Sequence, residues 1–187
     1  MNTEALRMML ENVRSGAMEI EEGLARLKSL SYLDLGYAKL DTHRELRVGY
    51  PEVIFCSGKT REQVARIVQV MMDGEANILA TRASEDIFQA VRDICPQAVY
   101  HPLARVIAVV KREAVPPDSY IAVVTAGTSD LPVAEEAAVT AEVFGNRVER
   151  IADVGVAGVH RLFDKLDLIR GAKVIVVAAG MEGALPS

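Results

Sequence analysis

The sequence contains no apolar run that approaches the roughly 20 residues needed to span a bilayer as a helix. The N-terminus lacks the apolar core of a signal peptide and carries acidic residues instead, MNTEALRMMLENVRSG. Both absences predict a soluble, cytoplasmic protein with no membrane partner. Cysteine is scarce as well, with Cys56 and Cys95 alone, and in a chain without an export signal we expect reduced thiols rather than a disulfide.

Two further patterns are missing. No group of histidines and cysteines has metal-ligand spacing, so we expect no structural zinc. Positive charge is not in excess: the net charge of −5 argues against a nucleic-acid partner, although a local basic patch could still bind a small phosphorylated ligand. Half of the 187 residues are apolar, which suffices for one good-sized domain or two small ones.

The first 50 residues are predicted to form a helical arm and a polar loop. Apolar residues recur at helical spacing in residues 4–14 and 17–30, so we expect two helices that pack on the body or on a second subunit. Residues 37–52 are polar and lack a long apolar face, which is typical of a loop. Four of its side chains either contact an anionic ligand or form a solvated ion-pair cluster: Asp41, His43, Arg44 and Arg47.

Residues 51–117 are predicted to form a small α/β domain that begins with a strand over 53–56 and a helix over 61–72. Thr60 and Gln63 fit a capping box at the start of this helix. The preceding Gly58-Lys59-Thr60 resembles the end of a P-loop, but Val53 stands where that motif requires glycine, which excludes an ATPase. A phosphate at the helix start, held by Lys59, remains an alternative to simple capping.

The remainder of this domain is predicted from alternating strands and helices. We expect a strand over 77–81, a helix from Ser84 to about Arg92, and one or two strands within 98–101 and 106–110. Cys56, near a helix start, is either a somewhat acidified thiol or a buried inert one. The prolines within 114–119 mark a domain boundary.

Residues 118–187 predict a parallel, flavodoxin-like sheet. A continuous apolar run at 121–125 indicates a strand buried on both faces. We also expect a strand over 147–153 and a third, buried strand over 173–178. Helices are expected after Asp130 and over 159–168. Because such a sheet usually has more strands, we expect the chain to be the front part of a longer protein.

The carboxyl ends of parallel strands meet at one edge of a sheet, where ligands bind. Three titratable side chains follow the predicted strands: Asp130, His160 and Glu182. One histidine and two carboxylates suit general acid–base chemistry. Alternatively, Asp130 caps a helix, His160 faces solvent and Glu182 is an exposed loop residue. The small residues at 126–130 would admit an anionic group at the following helix start.

These turns resemble those of the PurE family, the aminoimidazole ribonucleotide carboxylases and mutases, which read GSxSD, SAHR and AGxxxHLPG. The corresponding stretches here are AGTSD at 126–130, GVHR at 158–161 and AGMEGALP at 179–186. The first serine of GSxSD is replaced by Gly127, the serine and alanine before His160 are Gly158 and Val159, and the third turn has no histidine. With the DxHRxxRxGxPE stretch at 41–52 and the GKT triplet, the whole chain is more similar to the PurE-related LarB family.

The resemblance implies carboxylation of the pyridinium ring of nicotinic acid adenine dinucleotide by CO2 or bicarbonate, with hydrolysis of the phosphoanhydride. It places Asp130, His160 and Glu182 as catalytic groups near the ring. It also implies a homo-oligomer, no tightly bound organic cofactor, and Mg²⁺ bound only through substrate phosphates. The residues expected to bind substrate are Gly127, Thr128, Ser129, Arg161, Gly180, Gly183, Arg44, Lys59 and Thr60.

The family's proposed nucleophile is a cysteine in the C-terminal part of its domain. Neither Cys56 nor Cys95 matches it, so we expect that cysteine beyond Ser187 and expect these 187 residues alone to be inactive. Two other functions remain open. One is a true PurE-type carboxylase or mutase of purine synthesis, and the other is a non-catalytic module that binds nucleotides or drives oligomerisation.

Overall fold

The two helices predicted for the N-terminal arm are present, and the segment after the arm is more structured than its sequence predicts. The computed structural model describes residues 3–28, 32–41 and 44–187. In the arm, α1 (Thr3–Ser15) and α2 (Ile20–Lys28) are separated by residues 16–19, where Gly16 adopts a φ of 76° that favours glycine. Residues 29–30, which were included in the second predicted helix, lie outside the described part of the chain.

The prediction of a loop over 37–52 was wrong. This segment contains β2 (Lys39–Leu40), which pairs antiparallel with β1 (Leu33–Asp34), and a short helix, α3 (Arg44–Val48). Leu40 anchors the hairpin because its side chain is buried in the core. The backbone N–H of Asp41 donates to Glu52 Oε2 at 2.6 Å, which closes the segment on itself.

A four-stranded mixed sheet follows. Its strands are β3 (Val53–Phe55), β4 (Ile78–Thr81), β5 (Val99–His101) and β6 (Val106–Val109), in the spatial order β3-β4-β6-β5. Only β3 and β4 are parallel; β6 runs antiparallel to both of its neighbours. Two helices, α4 (Arg61–Met71) and α5 (Glu85–Ile94), pack their apolar faces into its core. Ser84 precedes α5 as predicted, but its hydroxyl donates to Asp86 instead of capping the helix.

The second sheet is parallel, and the predicted α/β fold is confirmed. Its strands are β7 (Tyr120–Thr125), β8 (Arg147–Ile151) and β9 (Val174–Ala178), in the order β8-β7-β9. The crossovers contain α6 (Leu131–Val143), then α7 (Val159–Phe163) and α8 (Leu166–Arg170). A central first strand flanked by the second and third is the start of the flavodoxin-like strand order.

Two details of this sheet differ from the prediction. The single helix expected over 159–168 is broken at Asp164 and Lys165, where the N–H of Lys165 bonds three residues back to the Leu162 carbonyl. The strand β9 is not buried on both faces: it lies at the sheet's edge, and Val174 and Ile175 are 50% and 47% exposed.

The helix α6 lies between the two sheets. Ala134 and Ala138 pack with Val123 of β7, and Val139 and Val143 pack with residues of β4 and β6 that include Leu79 and Val106. A helix that is buried between two sheets needs apolar residues on both of the faces that contact them. The predicted boundary at 114–119 therefore separates two sheets that share one helix; the division into domains stays a prediction.

Polar contacts fix the direction of α6 against the first sheet. Asn77, just before β4, donates from Nδ2 to the carbonyl of Val143, the last residue of α6, at 2.9 Å. Arg82, just after β4, bonds through Nε to Glu136 in the first half of α6. The helix therefore runs antiparallel to β4, as it also does to β7 because it connects β7 to the parallel strand β8. The carboxyl ends of β4 and β7 consequently lie at the same end of the molecule.

No helix in the described part of the chain is long and apolar enough to cross a membrane.

Asn77 should be a principal stabilising residue because its amide makes four hydrogen bonds, to the backbone of Lys111, twice to that of Arg112, and to Val143. We predict that Asn77→Ala lowers the free energy of unfolding by about 2 to 3 kcal/mol, since backbone groups would lose their partners. Asn146, whose amide bonds only to Ala141 and Phe144 nearby, is the control. Its alanine variant should lose about 1 kcal/mol or less in denaturant titrations; equal losses would contradict this role.

Candidate functional site

The three turns that follow β7, β8 and β9 are in direct contact. The N–H of Ala126 donates to the carbonyl of Ala178 at 3.3 Å, and the N–H of Gly155 donates to the carbonyl of Ala126 at 2.9 Å. The structure therefore brings the three predicted stretches together at the carboxyl edge of the parallel sheet. Such an edge is where ligands of open α/β sheets bind.

Gly155 is required by this close approach. A Cβ at position 155 would lie 2.8 Å from the backbone oxygen of Ala126, closer than real Cβ atoms come. Behind it, the buried Thr125 accepts two backbone bonds, from Asp153 N–H at its hydroxyl (3.2 Å) and from Val154 N–H at its carbonyl (3.0 Å). The turn after β8 is thus fixed by the last residue of β7.

Asp130 closes the turn after β7. Its Oδ2 accepts from the N–H of Gly127 at 2.9 Å, and its own N–H donates to the Gly127 carbonyl at 3.2 Å. The Asp130 side chain makes no bond to the helix start beyond it, while Thr128 and Ser129 are exposed. The Gly127 N–H is therefore already used by Asp130, and Thr128 and Ser129 offer exposed hydroxyls to a ligand.

The second turn presents His160 and Arg161. His160 lies exposed near the start of α7. The Arg161 guanidinium forms an ion pair with Asp153, which adopts the left-handed conformation with φ 58°. A Cβ at Gly158 would lie 2.7 Å from Arg161 Nε, so the glycine makes room for this arginine as it is placed.

The third turn is tight. The N–H of Gly183 donates to the carbonyl of Gly180 at 3.4 Å, and Glu182 and Gly183 both adopt positive φ, 54° and 73°. Glu182 is exposed. Asp130, His160 and Glu182 thus lie on three adjacent turns with solvent access, which permits proton transfer to or from a ligand bound across the edge.

The predicted phosphate contacts are split between two ends of the molecule. Lys59 lies at the carboxyl edge of the mixed sheet, where its Nζ donates to the carbonyl of Phe55 at 2.6 Å. Arg44 is the first residue of α3. The next residue, Glu45, lines a cavity with Pro51, Val70 and Ala76 at the amino ends of β3 and β4. Lys59 and the start of α3 therefore lie toward opposite ends of β3. His43 lies outside the described residues.

The capping box at Thr60 is confirmed. Thr60 Oγ1 accepts from the N–H of Gln63 at 3.3 Å, and Gln63 Oε1 accepts from the N–H of Thr60 at 3.0 Å. The hydroxyl of Thr60 therefore has a structural partner. A phosphate role for Thr60 stays a prediction.

Comparison with known proteins identifies the family of the chain. The family model of the LarB/PurE-like N-terminal domain matches residues 32–112. An uncharacterized protein of Methanocaldococcus jannaschii is 33% identical over 192 residues, which cover 97% of this chain and 75% of the relative. The chain belongs to the LarB/PurE-related family. The matched domain contains the hairpin of β1 and β2 and the whole mixed sheet, and the parallel sheet follows it.

Two arginines in this LarB/PurE-like domain were missed by the sequence reasoning. Arg82 follows β4 and Arg105 precedes β6, and both adopt the left-handed conformation, with φ 55° and 53°. Both side chains are exposed at the carboxyl end of β4. The PurE-like turns of the parallel sheet lie at the same end of the molecule. The only available signal was position: Arg82 is the first polar residue after a buried strand.

The two cysteines of this family member are inert. Both are free and buried, and burial raises the pKa of the Cys56 thiol to about 11 despite the nearby Lys59. Burial also raises the pKa of Cys95. A raised thiol pKa leaves little nucleophilic thiolate at neutral pH, so the alternative of an acidified Cys56 was wrong. Within the described ranges, no three histidine, cysteine or acidic side chains are arranged to hold a metal ion.

The glycines of the first two turns should respond differently to an added methyl group. We predict that Gly155→Ala lowers the free energy of unfolding by about 2 kcal/mol, because the new Cβ meets backbone. Gly127→Ala is the matched control: its Cβ would come no closer than 3.9 Å to Asp130 Oδ2, and φ is an ordinary −139°. That variant should stay within about 0.5 kcal/mol of the parent. Denaturant titration measures both, and a tolerated Gly155→Ala would contradict the packing described.

Proposed function

We propose that this protein carboxylates the pyridinium ring of nicotinic acid adenine dinucleotide at its free meta position, using CO2 or bicarbonate, and hydrolyses the phosphoanhydride. A ring C–H is replaced by a C–C bond to the new carboxylate, and the proton is released. Water cleaves the anhydride to give AMP and pyridinium-3,5-biscarboxylic acid mononucleotide, an intermediate of nickel-pincer cofactor synthesis. Membership in the LarB/PurE-related family supports a carboxylase-type reaction.

The main support for the proposal is the direct contact of the three turns at the carboxyl edge of the parallel sheet. Ser129 and backbone N–H groups would hold a carboxylate of the ring at the first turn. Asp130, His160 and Glu182 would lie near the ring and CO2, where one of them takes the ring proton. Gly127 and Gly158 stand where PurE enzymes have serine, and these departures favour this substrate over the aminoimidazole ribonucleotide of PurE enzymes.

The nucleophile is assigned to neither cysteine of this chain. The resemblance implies that a thiolate adds to the pyridinium ring and makes it electron-rich enough to attack CO2. Loss of the ring proton and cleavage of the carbon–sulfur bond then restore the aromatic ring and the free thiolate. Cys56 and Cys95 are both buried, with raised pKa values, which supports leaving the role to another cysteine. A homo-oligomer, and Mg²⁺ carried on the substrate phosphates, belong to the same proposal.

The test uses protein expressed from its complete coding sequence and incubated with nicotinic acid adenine dinucleotide, isotopically labelled bicarbonate and magnesium. Mass spectrometry should detect AMP and a mononucleotide heavier by one labelled carboxylate. Asp130→Asn and His160→Asn should each lower the rate by about 100-fold or more, the usual effect of losing an acid–base group. Asp167→Asn, which changes an exposed carboxylate on α8, is the control and should keep the parent rate.

Other outcomes would replace the proposal. Turnover of aminoimidazole ribonucleotide in place of the dinucleotide would identify a PurE-type enzyme of purine synthesis. Nucleotide binding without turnover of either substrate would identify a non-catalytic module. Turnover by the 187-residue chain alone would contradict the assignment of the nucleophile to a further cysteine.

A further inference from the structure

Three cationic side chains lie on adjacent loops at the carboxyl edge of the mixed sheet. The N–H of Cys56 donates to the carbonyl of Thr81 at 2.9 Å, and the N–H of Ala83 donates to the carbonyl of Arg105 at 2.7 Å. The Arg82 loop therefore lies between the other two, about one strand spacing of 4.8 Å from the Lys59 loop and the same from the Arg105 loop.

Lys59 and Arg105 have no carboxylate partner among the described residues. The Lys59 ammonium bonds to the Phe55 carbonyl, and Arg105 Nε bonds weakly to the Ala83 carbonyl at 3.4 Å. Nearby carboxylates already have partners. Glu62 pairs with Arg61, Asp86 accepts from Ser84, and Glu85 accepts from Gln89. Glu85 and Asp86 keep their charges because Gln89 and Ser84 are neutral partners, so this edge carries charges of both signs. Lys59 and Arg105 are cations that no described carboxylate neutralises directly.

Arg82 is the cation nearest to the PurE-like turns. Its Nε lies 2.8 Å from Glu136 Oε2, and its side chain remains 48% exposed. Glu136 is six residues beyond Asp130, so the two are about 9 Å apart along the helix axis at 1.5 Å per residue. This distance is comparable with the length of a nucleoside monophosphate.

We propose that Arg82, assisted by Lys59 and Arg105, binds the phosphoanhydride of the dinucleotide. The inference rests on the proposed function and adds the residues that hold the middle of the substrate. A guanidinium offers a planar pair of N–H donors to phosphate oxygens. On binding, the phosphate takes the place of Glu136 as the partner of Arg82, while the pyridinium ring lies over the turns after β7, β8 and β9.

The dissociation constant for nicotinic acid adenine dinucleotide, measured by calorimetry on the full protein, tests this assignment. Arg82→Gln should weaken binding about tenfold or more, because a charge-assisted hydrogen bond is lost. Arg112→Gln is the matched control: Arg112 is 49% exposed and pairs with Glu75 at 3.0 Å, but it lies beside Asn77, at the amino end of β4. Its affinity should equal that of the parent.

The variant Glu136→Gln distinguishes whether Arg82 contacts the ligand or only joins β4 to α6. If Arg82 binds phosphate, removal of the competing carboxylate should tighten binding a few-fold, opposite in sign to Arg82→Gln. If the ion pair only joins β4 to α6, both variants should weaken binding and lower the melting temperature together, and the inference is overturned. Failure of the parent protein to bind the dinucleotide would instead overturn the proposed function. Parent-like binding by Arg82→Gln would overturn this inference alone.

Discussion

The burial of α6 between two sheets is the constraint on which the rest of the structure depends. Its small residues Ala134 and Ala138 admit the parallel sheet closely, and Val139 and Val143 fill the space against the mixed sheet. Because the same helix is antiparallel to β4 and to β7, it places both carboxyl edges at one end of the molecule. The proposed site, which uses turns from both sheets, requires this arrangement.

Polar contacts keep α6 in register with each sheet. Asn77 ties its C-terminal end to the start of β4. On the other side, Arg150 of β8 donates to both Glu135 and Glu142, and these bonds raise the pKa of its guanidinium further above its usual range. These exposed ion pairs contribute little stability individually because water screens them. The rotation of the helix is set by its buried apolar residues, and the ion pairs join its exposed face to β8.

The candidate site itself is built from backbone more than from side chains. The turns after the three parallel strands hold one another through N–H to carbonyl bonds, which leaves Ser129, His160 and Glu182 exposed to a ligand. The loops of the mixed sheet carry cationic side chains: Lys59 just before the capped start of α4, and Arg82 and Arg105 in the left-handed conformation. A dinucleotide with a carboxylated ring at one end and phosphates in the middle matches this division.

Local patterns predicted part of this arrangement. The capping box at Thr60 and the alternation of strands and helices after residue 118 are short-range features, and the structure confirms both. The antiparallel course of β6 was not predicted, because a short buried strand has the same apolar pattern in either direction. The position of Arg44 at the amino edge and the left-handed turns at Arg82 and Arg105 depend on tertiary contacts that no local pattern contains.

Amide chemical-shift mapping with nicotinic acid adenine dinucleotide tests the shared edge most directly. The account predicts perturbed amides on both sheets, at 57–60, 82–84 and 103–105 of the mixed sheet and at 127–130 and 153–155 of the parallel sheet. Amides at 72–77, at the amino end of β4, should not shift. Perturbations confined to one sheet, or centred on the amino end, would contradict the account.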